Sequence, residues 1–265
     1  MAEVPSSVSS RRPIRGLLLD LDGVVHVRGK ALPGSLEAIA RVRAENIPLK
    51  FVTNTSRLPR RRIVEDLAQL GLQVAMDDVF TPAILACAFL VRENLAPFLV
   101  VHPDLREDFD GLPAQGREAV VLGDAGADFT YDKLNEAFRK ILRGAEFLAL
   151  ANNRNFLDRD GELSLDLGAF VSGLEYASSR KALVLGKPSP LFFALAVESL
   201  GSPAEAVAMI GDDAEADIGG AMAAGLRGVL VQTGKYRSGQ EKELDPPPTF
   251  VAQNLEDAVN FLLSC

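Results

Sequence analysis

Two aspartates separated by one residue give this sequence its first chemical signal. Asp20 and Asp22 follow the apolar run at residues 14–19, and Gly23 permits a sharp change of direction after them. If the chain stays extended as far as Asp22, both carboxylates point to the same side. Carboxylates that close repel each other unless a cation lies between them or one is protonated. The pair therefore indicates either a metal or acid–base site, or a solvated turn, because Asp and Gly are common turn residues.

Three further segments place polar side chains directly after apolar runs. Residues 53–56 (TNTS) carry hydroxyl and amide groups that suit phosphate oxygens, or that cap the following helix. Lys187 is either an anion-binding cation or a surface residue. Asp212, Asp213 and Asp217 offer the hard oxygen ligands that Mg²⁺ prefers, or they cap a helix whose first turn tolerates anions.

These four segments need structural elements that bring them together. Short β-rich runs alternate with helix-length segments, and the runs at 14–19, 49–52, 206–210 and 228–231 are almost wholly apolar. Strands that are apolar on both faces and separated by helices are typical of a parallel sheet covered on both sides. Ligands of such sheets bind at the carboxyl ends of the strands, where the polar segments lie. The sequence therefore predicts an α/β fold with its site at that edge.

The middle of the chain has the pattern of a second α/β assembly. Strands are predicted at 98–101, 119–122 and 147–150, and helices at 131–142 and 169–176. Such an assembly is long enough to have a small core of its own. The predicted organisation is a tail at 1–12, a core domain formed by 13–78 plus 186–265, and an inserted domain at 79–185.

Composition narrows the class of function. The chain has 265 residues and a formal net charge of −8, so its surface repels phosphate backbones and anionic lipids. We therefore expect neither nucleic acid nor a membrane as the main partner. The two cysteines, Cys87 and Cys265, have no metal-binding spacing, and the polar N-terminus lacks the apolar stretch of a signal peptide. A cytoplasmic protein with reduced thiols is expected.

The four polar segments resemble, in order, the four motifs of the haloacid dehalogenase-like (HAD) phosphohydrolases. DLDGV matches the first motif, Thr53 the second, Lys187 the third, and GDD with Asp217 the fourth. The insertion at 79–185 resembles the large α/β (C2-type) cap found in part of the family. FVTNTSR, MIGDDAEADIGGA and VQTGKYR look like the branch that contains phospholysine phosphohistidine inorganic pyrophosphate phosphatase and a hydrolase-domain-containing relative. The resemblance covers residues 14–263, and it implies a Rossmann-like parallel-sheet core with an inserted cap.

This resemblance implies roles for the reacting residues. Asp20 matches the nucleophile that forms an aspartyl-phosphate, and Asp22 matches the general acid/base. Lys187 matches the cation that offsets the charge gathered at the nucleophile and the phosphate. Substrate contacts are therefore expected from Asp20, Leu21, Asp22, Thr53, Asn54 and Lys187.

The resemblance also implies a Mg²⁺ site. Its ligands are expected to be Asp20, Asp212 and the backbone carbonyl of Asp22. Asp217 matches a partner that orients the site, and Asp213 is either a water-mediated ligand or one of the residues that support the ligands.

Two loops outside the motifs are also considered as parts of the expected site. Residues 23–34 match a small β-hairpin flap with its turn at Gly29-Lys30, and His26 is read as part of this flap, not as a base. In the inserted domain, Asn152 and Arg154 follow an apolar strand, so they are either specificity contacts or part of a surface turn.

The function expected from the motifs is that of a Mg²⁺-dependent phosphatase, which hydrolyses a small phosphorylated metabolite or pyrophosphate through an aspartyl-phosphate. One alternative is a phosphotransferase or mutase of the same family. Another is a phosphate-binding regulatory protein without turnover. A homodimer formed through the cap is plausible from the resemblance alone.

Overall fold

The computed structural model describes residues 13–157 and 162–264, which form two compact units. Among the described residues, unit 1 consists of 13–49 and 197–264, and unit 2 of 50–157 and 162–196. The boundaries expected for core and cap, after residues 78 and 185, stay a prediction. The expected tail at 1–12 and Cys265 lie outside the described residues.

The strands are numbered along the chain. They are β1 (Gly16–Asp20), β2 (His26–Val27), β3 (Lys30–Ala31), β4 (Leu49–Val52), β5 (Val79–Phe80), β6 (Leu95–Val100), β7 (Arg117–Leu122), β8 (Glu146–Ala149), β9 (Asn155–Leu157), β10 (Leu163–Leu165), β11 (Leu183–Val184), β12 (Val207–Gly211), β13 (Arg227–Val231) and β14 (Phe250–Ala252).

The α-helices lie between these strands. They are α1 (Ser35–Ala44), α2 (Arg60–Gln69), α3 (Pro82–Arg92), α4 (Tyr131–Leu142), α5 (Leu167–Ser178), α6 (Pro190–Leu200), α7 (Gly220–Ala223) and α8 (Leu255–Leu263). A π-helix at Ala214–Gly219 leads into α7, and short 3₁₀ turns occupy Met76–Asp78, Pro103–Phe109, Gly126–Asp128, Ala204–Ala206 and Gln240–Lys242.

Unit 1 contains a parallel sheet in the order β14, β13, β12 and β1. Every residue of β1 and β12 is buried, as the apolar runs predicted, because helices or loops cover both faces of these strands. Helix α8 begins where Asn254 Oδ1 accepts a hydrogen bond from the Asp257 N–H at 3.0 Å. The paired strands therefore bring Asp20, at the end of β1, to the edge where β12 ends at Gly211.

Unit 2 contains a separate parallel sheet in the order β11, β8, β7 and β6, together with the antiparallel hairpin β9–β10. Its middle strands β7 and β8 supply buried core residues such as Val120, Val121 and Leu148. Strand β4, which lies in this unit except for Leu49, pairs in parallel with β5. The expected second α/β assembly is therefore present, with a sheet of its own.

Three local features differ from the sequence prediction. The flap hairpin pairs Val27 with Lys30, so its two-residue turn is Arg28-Gly29 and not Gly29-Lys30. Both turn residues have positive φ, 50° and 71°, as a two-residue hairpin turn of this hand requires. The helix expected to follow the Asp212–Asp213 pair begins as a π-helix. The short strands β5, β9, β10 and β11 have two or three residues each, too few for a periodicity to show.

Candidate active site

Asp20 and Asp22 lie in different environments, although one residue separates them. Asp20 ends β1 and is buried, whereas the Asp22 side chain is 68% exposed. The chain does not stay extended beyond Asp20, because the N–H groups of Val25 and His26 both donate to the Leu21 carbonyl, at 2.9 and 3.2 Å. The condition for both carboxylates to point to one side, a chain that stays extended as far as Asp22, is therefore not met. The Asp22 carboxylate instead lies 3.4 Å from His26 Nδ1.

Three buried carboxylates form an acidic cluster: Asp20 at the end of β1, Asp212 directly after β12, and Asp217 in the π-helix that follows. One oxygen each of Asp20, Asp212 and Asp217 lies within 4.8 Å of the others. Burial, together with the neighbouring Asp20 and Asp217, raises the pKa of Asp212 to about 7. Buried carboxylates this close are stable only when protons or cations offset their charge.

The donor set of the acidic cluster fits Mg²⁺. All three side chains offer hard carboxylate oxygens, the ligand type that Mg²⁺ selects. A divalent cation bound between these carboxylates would offset their mutual repulsion. Asp20 and Asp212, both predicted ligands, belong to this cluster, whereas the exposed Asp22 carboxylate does not. The contribution of the Asp22 backbone carbonyl stays a prediction.

A loop after β13 holds the Asp212 carboxylate by a backbone hydrogen bond. The Lys235 N–H donates to Asp212 Oδ2 at 2.6 Å, and Thr233 Oγ1 donates to the Gly23 carbonyl at 2.5 Å. A Cβ added to Gly23 or to Gly234 would lie 1.9 Å from Asp212 Oδ2, so only glycine fits at either position. We name residues 233–235 the TGK loop. In the sequence, VQTGKYR was noted only as a stretch that resembles the family. The glycine of this stretch is the feature that could have indicated a tight turn at the site.

Asp213 is hydrogen-bonded to Asp217 and to the helix that follows. Asp213 Oδ1 accepts hydrogen bonds from the Glu215 and Ala216 N–H groups at 3.1 and 2.9 Å, so this side chain caps the π-helix. The Asp213 N–H in turn donates to Asp217 Oδ2 at 3.2 Å. A Cβ on Gly211 would lie 2.3 Å from Asp217, so this glycine lets the buried carboxylate approach the strand end.

In unit 2, the residues of the second and third motifs are brought together. Thr53 directly follows β4 and is buried, and its Oγ1 accepts a hydrogen bond from the Thr55 N–H at 3.1 Å. The Asn54 side chain holds the backbone of Lys187 twice: Nδ2 donates to the Lys187 carbonyl at 2.8 Å, and Oδ1 accepts from its N–H at 2.7 Å. Lys187 is 3% exposed, so it is not a surface residue. The sequence indicated the backbone of Asn54 but not this use of its side chain.

The candidate specificity loop is exposed and held by its main chain. Asn152 and Arg154 are exposed, and the carbonyls of Asn153 and Arg154 accept hydrogen bonds from Gly168 and Asp166 at 2.9 and 3.3 Å. The loop therefore has a defined backbone while both side chains remain available to a ligand.

Other reactive residues have structural roles. His102 Nδ1 accepts a hydrogen bond from the Asp104 N–H at 3.2 Å and so caps a 3₁₀ turn. Burial raises the pKa of the Cys87 thiol to about 12, and the thiol donates to the Asp108 carbonyl at 3.1 Å. A thiol with that pKa is protonated at neutral pH and is a poor nucleophile.

Comparison with known proteins identifies the family. Residues 17–115 match the family model described as haloacid dehalogenase-like hydrolase, and residues 184–258 match the model described as HAD-hydrolase-like. Haloacid dehalogenase-like hydrolase domain-containing protein 2 of Bos taurus is 38% identical over 97% of this chain and 98% of its own length. Phospholysine phosphohistidine inorganic pyrophosphate phosphatase of Homo sapiens is 37% identical over 94% of each chain.

A solved structure extends the comparison to three dimensions. A glycerol phosphate phosphatase from Mycobacterium tuberculosis, in complex with magnesium, superposes with a TM-score of 0.81. It is 27% identical, and the match covers 92% of this chain and 76% of that one. The predicted α/β fold, the predicted family and the predicted branch are thereby confirmed. The chain belongs to the haloacid dehalogenase-like hydrolase family.

Proposed function

We propose that this protein is a Mg²⁺-dependent phosphatase that acts through an aspartyl-phosphate on Asp20. The observation that carries the proposal is the cluster of three buried carboxylates with Asp20 at a strand end. A purely structural cluster of this kind would cost stability without a compensating use. The phosphatase names of the relatives support the same class of reaction.

The first half of the proposed reaction transfers the phosphoryl group to the protein. A carboxylate oxygen of Asp20 forms a bond to phosphorus while the bond from phosphorus to the leaving oxygen breaks. Asp22 gives its proton to that leaving oxygen. Thr53, Asn54 and Lys187 are proposed to bind the phosphoryl oxygens. The two hydrogen bonds between the Asn54 side chain and the Lys187 backbone support such a positioning role.

The second half returns the protein to its starting state. Asp22, now a carboxylate, takes a proton from a water molecule whose oxygen attacks phosphorus, and the bond to Asp20 breaks. Inorganic phosphate leaves, and Asp22 again carries the proton. The exposure of Asp22 supports this role, because a general acid/base must reach both the leaving group and water.

Asp20, Asp212 and the backbone carbonyl of Asp22 are the proposed Mg²⁺ ligands, and Asp217 orients them. Bound Mg²⁺ offsets the charge of the carboxylates and of the phosphoryl oxygens, and so lowers the barrier to attack by an anionic nucleophile. Asp213 is proposed to support the ligands, since its backbone N–H donates to Asp217.

The proposed substrate is a small phosphorylated metabolite or pyrophosphate. Proteins that resemble this chain are named for glycerol phosphate and for phospholysine, phosphohistidine and pyrophosphate, so P–O–C, P–N and P–O–P bonds are all candidates. A phosphotransferase or mutase remains an alternative, because only the acceptor of the phosphoryl group differs. A regulatory protein without turnover is less well supported, because Asp20, Asp22 and Lys187 all keep their reactive groups.

The proposal also covers the oligomeric state and the cellular compartment. From the resemblance, we propose a homodimer formed through the cap. From cysteine usage, we propose a cytoplasmic location with reduced thiols. Within residues 13–157 and 162–264, no helix has the length and apolarity needed to cross a membrane.

A phosphate-release screen tests the proposed function. Phosphomonoesters, pyrophosphate and N-phosphorylated amino acids are each incubated with the protein in Mg²⁺ or in EDTA. We expect release from at least one class, its loss in EDTA and its recovery on adding Mg²⁺. Full activity in EDTA would contradict the proposal, and so would a screen without turnover of any class.

A further inference from the structure

His26, in the flap hairpin, faces the exposed aspartate of the first motif. Its Nδ1 lies 3.4 Å from Asp22 Oδ1, and in the described part of unit 1 no other basic side chain lies within ion-pair distance of that carboxylate. The His26 side chain is 19% exposed, whereas that of Asp22 is 68% exposed. The contact therefore joins a largely shielded imidazole to a carboxylate that solvent reaches.

Main-chain hydrogen bonds fix the turn that carries both residues. The His26 N–H donates to the Leu21 carbonyl at 3.2 Å, and the His26 carbonyl accepts from the Gly23 N–H at 2.8 Å. Thr233 of the TGK loop donates to the Gly23 carbonyl at 2.5 Å, so the turn is also held from the loop after β13. The backbone thus sets the position from which the imidazole meets Asp22.

The imidazole has a nitrogen whose hydrogen bond is not yet made. His26 Nδ1 is buried and has no hydrogen-bond partner among the described residues, which is unfavourable for a polar atom. Its distance of 3.4 Å from Asp22 Oδ1 is a few tenths of an ångström longer than an ordinary N–H···O hydrogen bond. Catalytic hydrogen bonds are often long in the free protein and shorten in the substrate complex. A small rotation of either side chain would make this bond.

We propose that His26 is a positioning residue for the general acid/base: its Nδ1–H donates to one oxygen of Asp22 and leaves the other oxygen to transfer the proton. The proposal rests on the proposed function, because it assumes that Asp22 is the general acid/base. In the first half of the reaction, the oxygen without the proton accepts from His26, and the other gives its proton to the leaving oxygen. In the second half, the free oxygen takes the proton from water. The proton of His26 stays on Nδ1 throughout.

The position of one imidazole proton tests this inference without any substrate. At about pH 8.5 an imidazole is ordinarily neutral, and long-range ¹H–¹⁵N NMR identifies the nitrogen that carries its proton. We expect Nδ1–H in His26, because this nitrogen faces the carboxylate. The second histidine of the chain, His102, is an internal control. Its Nδ1 accepts from the Asp104 N–H, so its proton belongs on Nε2.

Two substitutions of His26 separate positioning from a structural role. His26→Phe keeps a ring but removes the donor, whereas His26→Asn keeps an N–H donor close to the position of Nδ1. For an alkyl phosphate, whose leaving oxygen needs a proton, kcat/KM should fall about tenfold in His26→Phe and stay within about threefold of the wild type in His26→Asn. The value for p-nitrophenyl phosphate should change little, because its leaving group needs little protonation. His102→Phe is the matched control and should change neither value.

A double-mutant cycle shows whether His26 acts through Asp22. In an Asp22→Asn background, His26→Phe should cause no further loss with the alkyl phosphate, because the carboxylate that it positions is gone. A loss as large as that in the wild-type background would show that His26 acts independently of Asp22.

Three other results would overturn the inference. They are an Nε2–H imidazole at His26, equal losses for both substrates in His26→Phe, and a loss in His26→Asn as large as that in His26→Phe, which would make His26 itself a proton carrier. Circular dichroism checks that each variant folds, and the NMR measurement decides even if His26→Phe does not. If the wild type hydrolyses no phosphate compound, the proposed function fails as well. If it does hydrolyse one, only the role of His26 is in question.

Discussion

At Asp212, burial and charge repulsion act together. It is 1% exposed, and Asp20 and Asp217 lie beside it. Its pKa of about 7 lies above the ordinary value of 3.8, so the folded state binds a proton more tightly than the unfolded state does. Without metal, this group favours folding most at low pH, and its contribution is lost as the pH rises towards and through about 7.

Asp212→Asn should therefore stabilise the metal-free protein while it removes a metal ligand. At pH 8 in EDTA, we expect a melting temperature about 5 °C higher than that of the wild type, since the variant lacks the buried charge. Addition of Mg²⁺ should stabilise the wild type and leave the variant nearly unchanged. Asp110→Asn, at an exposed position outside the cluster, is the control. A variant that melts lower than the wild type in EDTA at this pH would show that repulsion does not dominate here.

The loop after β4 is joined to the end of β7 by an ion pair. Arg57 Nε lies 3.0 Å from Asp124 Oδ2, and the Arg57 guanidinium lies 5.7 Å from the centre of the Phe156 ring. The Asp124 N–H also donates to Ser56 Oγ at 3.2 Å. These contacts hold the segment that follows Thr53 and Asn54 in a fixed position within unit 2.

A double-mutant cycle on Arg57→Ala and Asp124→Ala should measure this coupling. Both partners are partly shielded from solvent, so we expect a coupling free energy of about 1 kcal/mol, near the upper end for such pairs. The more exposed pair Arg61–Glu107 is the matched control and should give a smaller value. Additive effects of the two substitutions on denaturant unfolding would exclude a stabilising ion pair.

The loop between β8 and β9 carries the next prediction. Its backbone is held by main-chain hydrogen bonds, so replacing Asn152 and Arg154 by alanine should leave its conformation intact. If these side chains bind the leaving group, kcat/KM for the best substrate of the screen should fall about tenfold or more. The value for p-nitrophenyl phosphate should change little.

Arg139→Ala, at an exposed position on α4, is the control for this pair of substitutions. Equal, small losses for both substrates would mean that the loop is a surface turn and that specificity lies elsewhere in unit 2.

In the molecule as a whole, the site positions that depend on strand ends were predicted from the sequence. The site positions that depend on loop conformation were not. Asp20, Asp212 and Thr53 follow apolar strands, and the parallel pairing of β1 with β12 is enough to bring the first two together. The exposure of Asp22 depends on a turn in which the N–H groups of Val24, Val25 and His26 converge on the Leu21 carbonyl. No spacing rule predicts such a turn.

Contacts between residues that are distant in the sequence could not be predicted either. The Asn54 side chain meets the backbone of Lys187 across 133 positions, and Lys235 meets Asp212 through a loop that follows a different strand. Both contacts use ordinary residue types, and only the fold gives them their partners. The boundaries of the two units, after residues 49 and 196, likewise follow from packing and not from composition.

Trapping the covalent intermediate on Asp20 tests the proposed mechanism. The wild type and Asp22→Asn are mixed with a ³²P-labelled substrate in Mg²⁺, quenched in acid and digested, and the labelled peptide is identified. We expect label on the peptide that contains Asp20, none in Asp20→Asn or in EDTA, and turnover in Asp22→Asn reduced by about 10²- to 10⁴-fold. Label on another residue, or near-normal turnover by Asp20→Asn, would contradict an aspartyl-phosphate on Asp20.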